Sequence, residues 1–357
     1  MTFKERLIHM PPITLGKAQF RFSVGPWNLH PGADPFGPPV REEFSWEKKL
    51  DIFKSLGFDA VQFHDDDVCP ADLNPAETSA RVAAMRKQLS GLGLAAEFVA
   101  PRFWEYPGGA DGAWTANDPA VRQYASDRSK RAIDIALELG THRIVLWPAR
   151  EGTYIREAKD PLDSVKRYRD YLNVLLEHDR SIKILGEMKP NEPMDAAYLP
   201  SPGHFLALGA TTVDPSRVGV LIESAHSMLL GIDPSDDMAL CLALGKLWGV
   251  HLNDQDGLKY DQDKSFGAVN LRRAFNQVWV LARGAFGAAG EYVGLDVKAM
   301  RTQRQDASMK HLSNSLQIFK NLCETVSRID EKKIAALREA RDYEALELYI
   351  VGLLMGK

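Results

Sequence analysis

Cysteine is scarce: three residues, Cys69, Cys241 and Cys323, in a chain of 357. They are far apart, odd in number and without Cys-x-x-Cys spacing. That argues against a disulfide framework and against a thiolate metal site. The expectation is a reducing, cytoplasmic setting. Excess positive charge is lacking too. The formal net charge is −4, so there is no basic field to hold a nucleic-acid backbone. No apolar run is long enough to span a bilayer, and the mixed stretch from Met1 to Pro12 lacks the apolar centre of a signal peptide. A phosphate or dinucleotide loop after an early strand is also missing. Gly284 to Gly290 is the one glycine-spaced run. It precedes a strand rather than following one, so it reads as a loop.

What is present is alternation. Short apolar runs occur at 18–24, 60–63, 95–99, 143–146, 182–187, 218–222, 249–252 and 292–296, which makes eight expected strands. Between them the periodicity predicts helices at about 45–56, 76–91, 118–139, 161–178, 201–209, 234–245 and 270–283, with another at about 306–328. Asp118-Pro119, Asp160-Pro161 and Asp233-Pro234 each offer an N-cap followed by proline at the first helical position. Gly57, Gly93, Gly140 and Gly209 stand where helices should stop. Eight strands alternating with helices imply an α/β chain with a parallel sheet. At this length a closed (β/α)8 TIM barrel leads, with an open doubly wound sheet as the rival. The barrel is expected over 1–328. Residues 329–357 read as a C-terminal helical tail outside the eightfold unit, expected to pack on a neighbouring subunit. The proline- and glycine-rich loop from Trp27 to Pro39 is long enough to be functional.

The polar residues fall at the ends of the strands. The second run finishes in His64-Asp65-Asp66-Asp67. The third finishes near Arg102 and Trp104, and the fourth at Trp147. Glu187 and Lys189 close the fifth, Glu223 and His226 the sixth, His251 the seventh, Asp296 and Lys298 the eighth. In a barrel these C-terminal ends meet on one face, where chemistry is found. Any one of them has a plain explanation. A carboxylate can be a cap or a surface ion pair, Asp261-Gln262-Asp263 a turn, His251 a satisfied core histidine, and the tryptophans core. Together they would require a coincidence at seven strand ends. Carboxylates crowded into one cavity repel unless cations neutralise them. Glu187, Glu223, Asp261, Asp263 and Asp296, with His226 and His251, form an oxygen-rich donor set with a few imidazoles. It suits Mg²⁺, Mn²⁺ or Co²⁺ and exceeds what one ion needs, so two divalent metal ions per subunit are expected.

At these residues the sequence resembles xylose isomerase, from about Phe20 to about Thr302. The stretches that carry the resemblance run in one order: Asp34-Pro35-Phe36-Gly37, Phe63-His64-Asp65-Asp66-Asp67, Leu146-Trp147, Glu187-Met188-Lys189-Pro190-Asn191-Glu192-Pro193, Glu223-Ser224-Ala225-His226, Lys259-Tyr260-Asp261-Gln262-Asp263, and Asp296 with Lys298, Arg301 and Thr302. The resemblance implies an aldose–ketose isomerase, working on an open-chain monosaccharide by a metal-mediated 1,2-hydride shift. It implies a first metal on Glu187, Glu223, His251 and Asp296, and a second on Glu223, His226, Asp261 and Asp263. His64, oriented by Asp67, would meet the sugar, and Lys189 would contact the oxygen at C1. Trp104 and Trp147 would wall the substrate, with Phe36 reaching in from a partner subunit of a homodimer or homotetramer. Phe22 stands where the family usually has a substrate-lining tryptophan, so it is expected to bind substrate. His251 replaces the family's aspartate, as in the related rhamnose isomerases and ketose 3-epimerases, and is expected to shift preference from Mg²⁺ toward Mn²⁺ or Co²⁺. The rival readings are a sugar epimerase on the same barrel, using two metal-bound carboxylates for proton transfer, and a catalytically silent binding relative.

Overall fold

The eightfold alternation closes on itself. The computed structural model describes residues 11–258 and 260–357. The reading of the chain's first ten residues and of Lys259 falls outside them. Eight parallel strands form the closed barrel: β1 (Phe22–Val24), β2 (Ala60–His64), β3 (Ala95–Ala100), β4 (Arg143–Leu146), β5 (Lys183–Gly186), β6 (Val218–Glu223), β7 (Leu247–Leu252) and β8 (Val293–Leu295). Neighbours pair in chain order, and β8 returns to pair with β1. Around them lie α1 (Trp46–Leu56), α2 (Pro75–Leu92), α3 (Pro119–Leu139), α4 (Pro161–His178), α5 (Pro202–Gly209), α6 (Pro234–Ala243), α7 (Leu271–Arg283) and α8 (Lys310–Ser327).

Local chemistry explains the helix boundaries. The Asp118 carboxylate accepts from Ala120 N at 2.8 Å, and Asp160 accepts from Leu162 N and Asp163 N, both at 2.9 Å. These bonds satisfy amides that a helix start leaves without partners. At the other end, Gly57 and Gly140 take left-handed φ of 88° and 92° and stop α1 and α3.

The first expected strand breaks in two. Ala18–Phe20 pairs antiparallel with Ile13–Leu15 as a small hairpin, and only Phe22–Val24 enters the barrel. The hairpin is held by α8, where Phe319 meets Phe20 edge-on at 5.1 Å. Packing of the hairpin against a helix thus divides what reads as one apolar run.

The main core lies between strands and helices. A smaller one fills the barrel interior: Phe98, Val145, Leu185 and Leu221, with Trp248 at the start of β7. Lys183 and Lys246 stand over the Trp248 ring at 4.8 and 5.2 Å. The interior is therefore packed at its N-terminal end, and open space is left at the C-terminal mouth.

The tail forms α9 (Glu331–Ala340) and α10 (Tyr343–Leu354). Ile334, Ile350 and Leu353 join the main core, and Arg328 Nη2 donates to Leu353 O at 3.3 Å. The tail thus folds back on its own chain, leaving Tyr343 and Leu348 exposed. All three cysteines are free and buried. Among the described residues no helix is long and apolar enough to cross a membrane.

Candidate metal centre

Parallel strands deliver their last residues to one rim. Among the described residues, two groups of ligand-type atoms lie within 4.8 Å of one another: Glu187, Glu223, His251 and Asp296, and Glu223, His226 and Asp261. Glu223 belongs to both. It ends β6, and His226 follows one turn later on the short helix Ser224–Leu229, which puts their side chains on one face. His251 Nδ1 lies 2.7 Å from Glu187 Oε1 and 3.9 Å from Asp296 Oδ2. His226 Nε2 lies 3.1 Å from both Glu223 Oε2 and Asp261 Oδ2. The groups open into a cavity of about 600 Å³.

Charge is badly balanced here. Burial pushes the Glu223 carboxyl well above its ordinary range, and the charges of Asp261, Asp296 and Asp263 add to the shift. Burial also raises Asp296, against the pull of His251 and Lys298. His251 is raised as well. Burial is the largest single influence and disfavours its cation, but Glu187, joined by Asp296 and Glu97, lifts the imidazole to about 9. Burial pushes Lys189 down, while Asp261 and Glu192 hold it above its usual value. A site that must take up protons to relieve its own carboxylates can take up a divalent cation instead. Three carboxylates and an imidazole facing one point fit Mn²⁺, Co²⁺ or Mg²⁺. The smaller group also holds a buried carboxylate oxygen without a partner, Asp261 Oδ1.

Most residues singled out in the sequence meet at this cavity. Lys189 Nζ lies 3.1 Å from Asp261 Oδ2 and 2.7 Å from Glu192 Oε2. Trp104 and Trp147 touch edge-to-face at 4.6 Å and line the wall. His64 also lines it. Its Nδ1 is 3.1 Å from Asp67 Oδ2 and 2.7 Å from Arg102 Nη2. The Asp67 carboxylate can only accept and the Arg102 guanidinium can only donate, so the two contacts ask opposite roles of Nδ1 and fix no tautomer.

Two expectations need correction, those for Phe22 and Asp263. Phe22 does not line the cavity: it faces the helical layer and packs edge-on against Phe319 at 5.4 Å. Trp27, on the turn Pro26–Asn28, takes that place, with its ring 4.5 Å from His64. Asp263 is outside the Glu223–His226–Asp261 group. Lys298 and Asn253 Nδ2, the latter at 3.1 Å, donate to its carboxylate. Phe36 is 98% exposed on the tight turn closed by Asp34 and Gly37, and touches no part of this chain's cavity.

Asn253 escaped the sequence reading. Its Nδ2 also donates to Glu223 Oε1 at 2.8 Å, and its Oδ1 accepts from Ala225 N at 2.8 Å. It thereby fixes the shared carboxylate. The available signal was its spacing, two residues beyond His251 and just past the end of β7, where the strand's alternation would carry it to the same side.

Fold and site together define a barrel with a carboxylate–imidazole centre at its C-terminal mouth. Residues 50–278 match the profile of the xylose isomerase-like TIM barrel. The chain belongs to that family. Solved structures agree in fold. An L-ribulose 3-epimerase superposes with a TM-score of 0.64 at 15% identity, covering 87% of this chain and 96% of its own. A D-tagatose 3-epimerase-like protein gives 0.60 at 16%, covering 84% and 98%. A xylose isomerase domain protein from Planctomyces limnophilus gives 0.58 at 15%, covering 88% and 100%.

Proposed function

We propose that this protein is a divalent-metal-dependent aldose–ketose isomerase acting on an open-chain monosaccharide by a 1,2-hydride shift. One observation carries the reading: Lys189 Nζ stands 3.1 Å from Asp261 in the smaller ligand group, which shares Glu223 with the larger one. A cation at that junction favours negative charge on a carbonyl oxygen at the end of the sugar chain. Glu187, Glu223, His251 and Asp296 would hold one divalent ion and Glu223, His226 and Asp261 a second, and the ions would supply Lewis acidity toward the sugar's oxygens. The chain's own groups do the rest. The C2 hydrogen of the aldose moves with its electron pair to C1, while the O2 proton is lost and O1 gains one. Lys189 donates to O1 as charge builds there. His64 turns its Nε2 edge to a sugar oxygen, and Trp27, Trp104 and Trp147 keep water out, which strengthens these interactions. Phe36, fully displayed, and the exposed Tyr343 and Leu348 of the tail are surfaces for a partner subunit, consistent with a homodimer or homotetramer.

An epimerase on the same barrel is the second reading. Several solved structures of this fold carry that activity in their names. Aldose deuterated at C2 separates the two. With Mn²⁺ present, the isomerase keeps the label on C1 of the ketose. Loss of the label to solvent means proton transfer and overturns the hydride shift. The donor set gives another expectation. One imidazole among three carboxylates makes Mn²⁺ bind more tightly than Mg²⁺ in titration calorimetry. Equal or tighter Mg²⁺ binding contradicts the assigned donors.

A further inference from the structure

We propose that Gln62 is a positioning residue for His251, its side-chain carbonyl accepting the Nε2–H of the imidazole and so holding Nδ1 toward Glu187 and Asp296. The assignment rests on the reading of that group as a metal centre.

Gln62 lies two residues before His64 on β2, so both point into the barrel, with Gln62 one layer deeper. It is completely buried. Its amide nitrogen is committed, donating to Ser23 Oγ at 3.0 Å and to Glu97 Oε2 at 2.9 Å. Those two contacts fix which end of the amide is nitrogen. The oxygen, Gln62 Oε1, is buried without a partner. So is Nε2 of His251, on the ring edge opposite the one that meets Glu187. A buried polar atom left alone is costly, and native interiors seldom keep one. Here an acceptor and a potential donor are both left.

Gly294 brings them together. On β8 it stands level with His251 on one side and Ser23 on the other. A Cβ at this position would fall 2.4 Å from Gln62 Nε2 and 2.8 Å from His251 Cδ2, the carbon bonded to Nε2. The amide and the Nε2 edge of the ring thus converge on the space that a side chain at 294 would fill. Around the imidazole lie the rings of Phe98 and Trp27, centroids at 5.9 and 6.3 Å, which offer no such acceptor, and the buried Glu97 carboxylate, whose Oε2 already takes the Gln62 amide. The two orphaned atoms do not share a hydrogen bond in this structure. Rotation of the imidazole or of the amide is the step that would pair them. A histidine that ligates through one nitrogen gains orientation and basicity when the other donates to a carbonyl. Gln62, anchored from behind by Glu97 and Ser23, is built to provide that carbonyl.

The test is Gln62→Leu in the full chain, titrated with Mn²⁺ by calorimetry beside the wild type. The expected result is binding weakened by about 10- to 100-fold, in a variant that keeps a cooperative melting transition although its midpoint falls as Glu97 and Ser23 lose the amide. Affinity within about twofold of wild type overturns the assignment. If Gln62→Leu does not fold, ¹⁵N-histidine NMR of the Zn²⁺-loaded wild type decides. A slowly exchanging proton on Nε2 of His251, with Nδ1 bare, supports the pair; a bare Nε2 refutes it. A wild type that binds neither Mn²⁺ nor Zn²⁺ removes the metal centre itself. A wild type that binds, beside an unaffected variant, removes only the role of Gln62.

Discussion

Replacing Glu223 by glutamine disables both ligand groups at once and yet makes the metal-free protein more stable. Glu223 is the one residue common to the two groups, with Oε1 held by Asn253 at 2.8 Å and Oε2 3.1 Å from His226. Glutamine keeps the shape but not the charge, so neither group retains its full set of anionic donors. Metal-assisted polarisation is worth several kcal/mol in the transition state. The expected fall in kcat/KM is therefore on the order of 10³-fold or more, with Mn²⁺ binding weakened in parallel. Stability moves the other way. Burial and the neighbouring charges of Asp261, Asp296 and Asp263 already press the Glu223 carboxyl toward its neutral form. A neutral amide removes that repulsion, so the metal-free Glu223→Gln protein melts at a higher temperature than the metal-free wild type. Calorimetric melting and steady-state kinetics check the two halves separately. A lower melting temperature would mean that the site is organised around the charge, and activity near the wild-type level would remove Glu223 from the chemistry. Asn253→Ala should act in the same direction on metal binding with a smaller effect, since it loosens the carboxylate without neutralising it.

Much of this site can be read from sequence for a geometric reason. A parallel barrel sends every strand's C-terminal residue to one rim, so apolar runs that finish in Glu187, Glu223 and His251 announce a cluster without any knowledge of distances. The helices are legible because their ends carry their own chemistry, as at Asp118 and Asp160. Phe22 was misplaced because a parallel-barrel strand is buried on both faces. Phe22 and Ser23 are both inaccessible, and nothing in the alternation says that the small serine faces inward while the ring faces α8. Trp27 was missed because a turn, not a strand, delivers it. The grouping of Asp261 with Asp263 failed for another reason. Their spacing is compatible with a shared ion, but Asp263 takes a left-handed φ of 45° and turns to Lys298 and Asn253. Gln62 and Gly294 are silent in sequence because their importance arises only where β2 and β8 come together on either side of β1.

Acidity should stabilise the metal-free protein and weaken its metal binding, an opposition that a site made of repelling carboxylates requires. Burial, reinforced by Asp261 and Asp296 and opposed by Lys298, pushes the Asp263 carboxyl up to about 8. Burial opposes but Glu187 drives the rise of His251 to about 9. Both values lie above those of the unfolded chain, so the folded protein holds protons that the unfolded chain has released. Stability then declines with rising pH. For Asp263 the decline spans the interval from its ordinary carboxylate range to about 8. The His251 contribution is fully present below its ordinary value near 6.5 and is gone above about 9. The metal-free protein should therefore melt at a lower temperature at pH 8.5 than at pH 6. Metal binding has the reverse slope, because ligands bind as the deprotonated forms and each displaced proton contributes up to about tenfold in affinity per pH unit. Mn²⁺ should raise the melting temperature more at pH 8.5 than at pH 6, and calorimetry in buffers of different ionisation enthalpy should register proton release. A flat metal-free melting temperature from pH 6 to 9 would show that Lys189 and Lys298 already neutralise the carboxylates. The strongest physical reason for a metal at this mouth would then be gone, since the excess negative charge is what a divalent ion would be binding to.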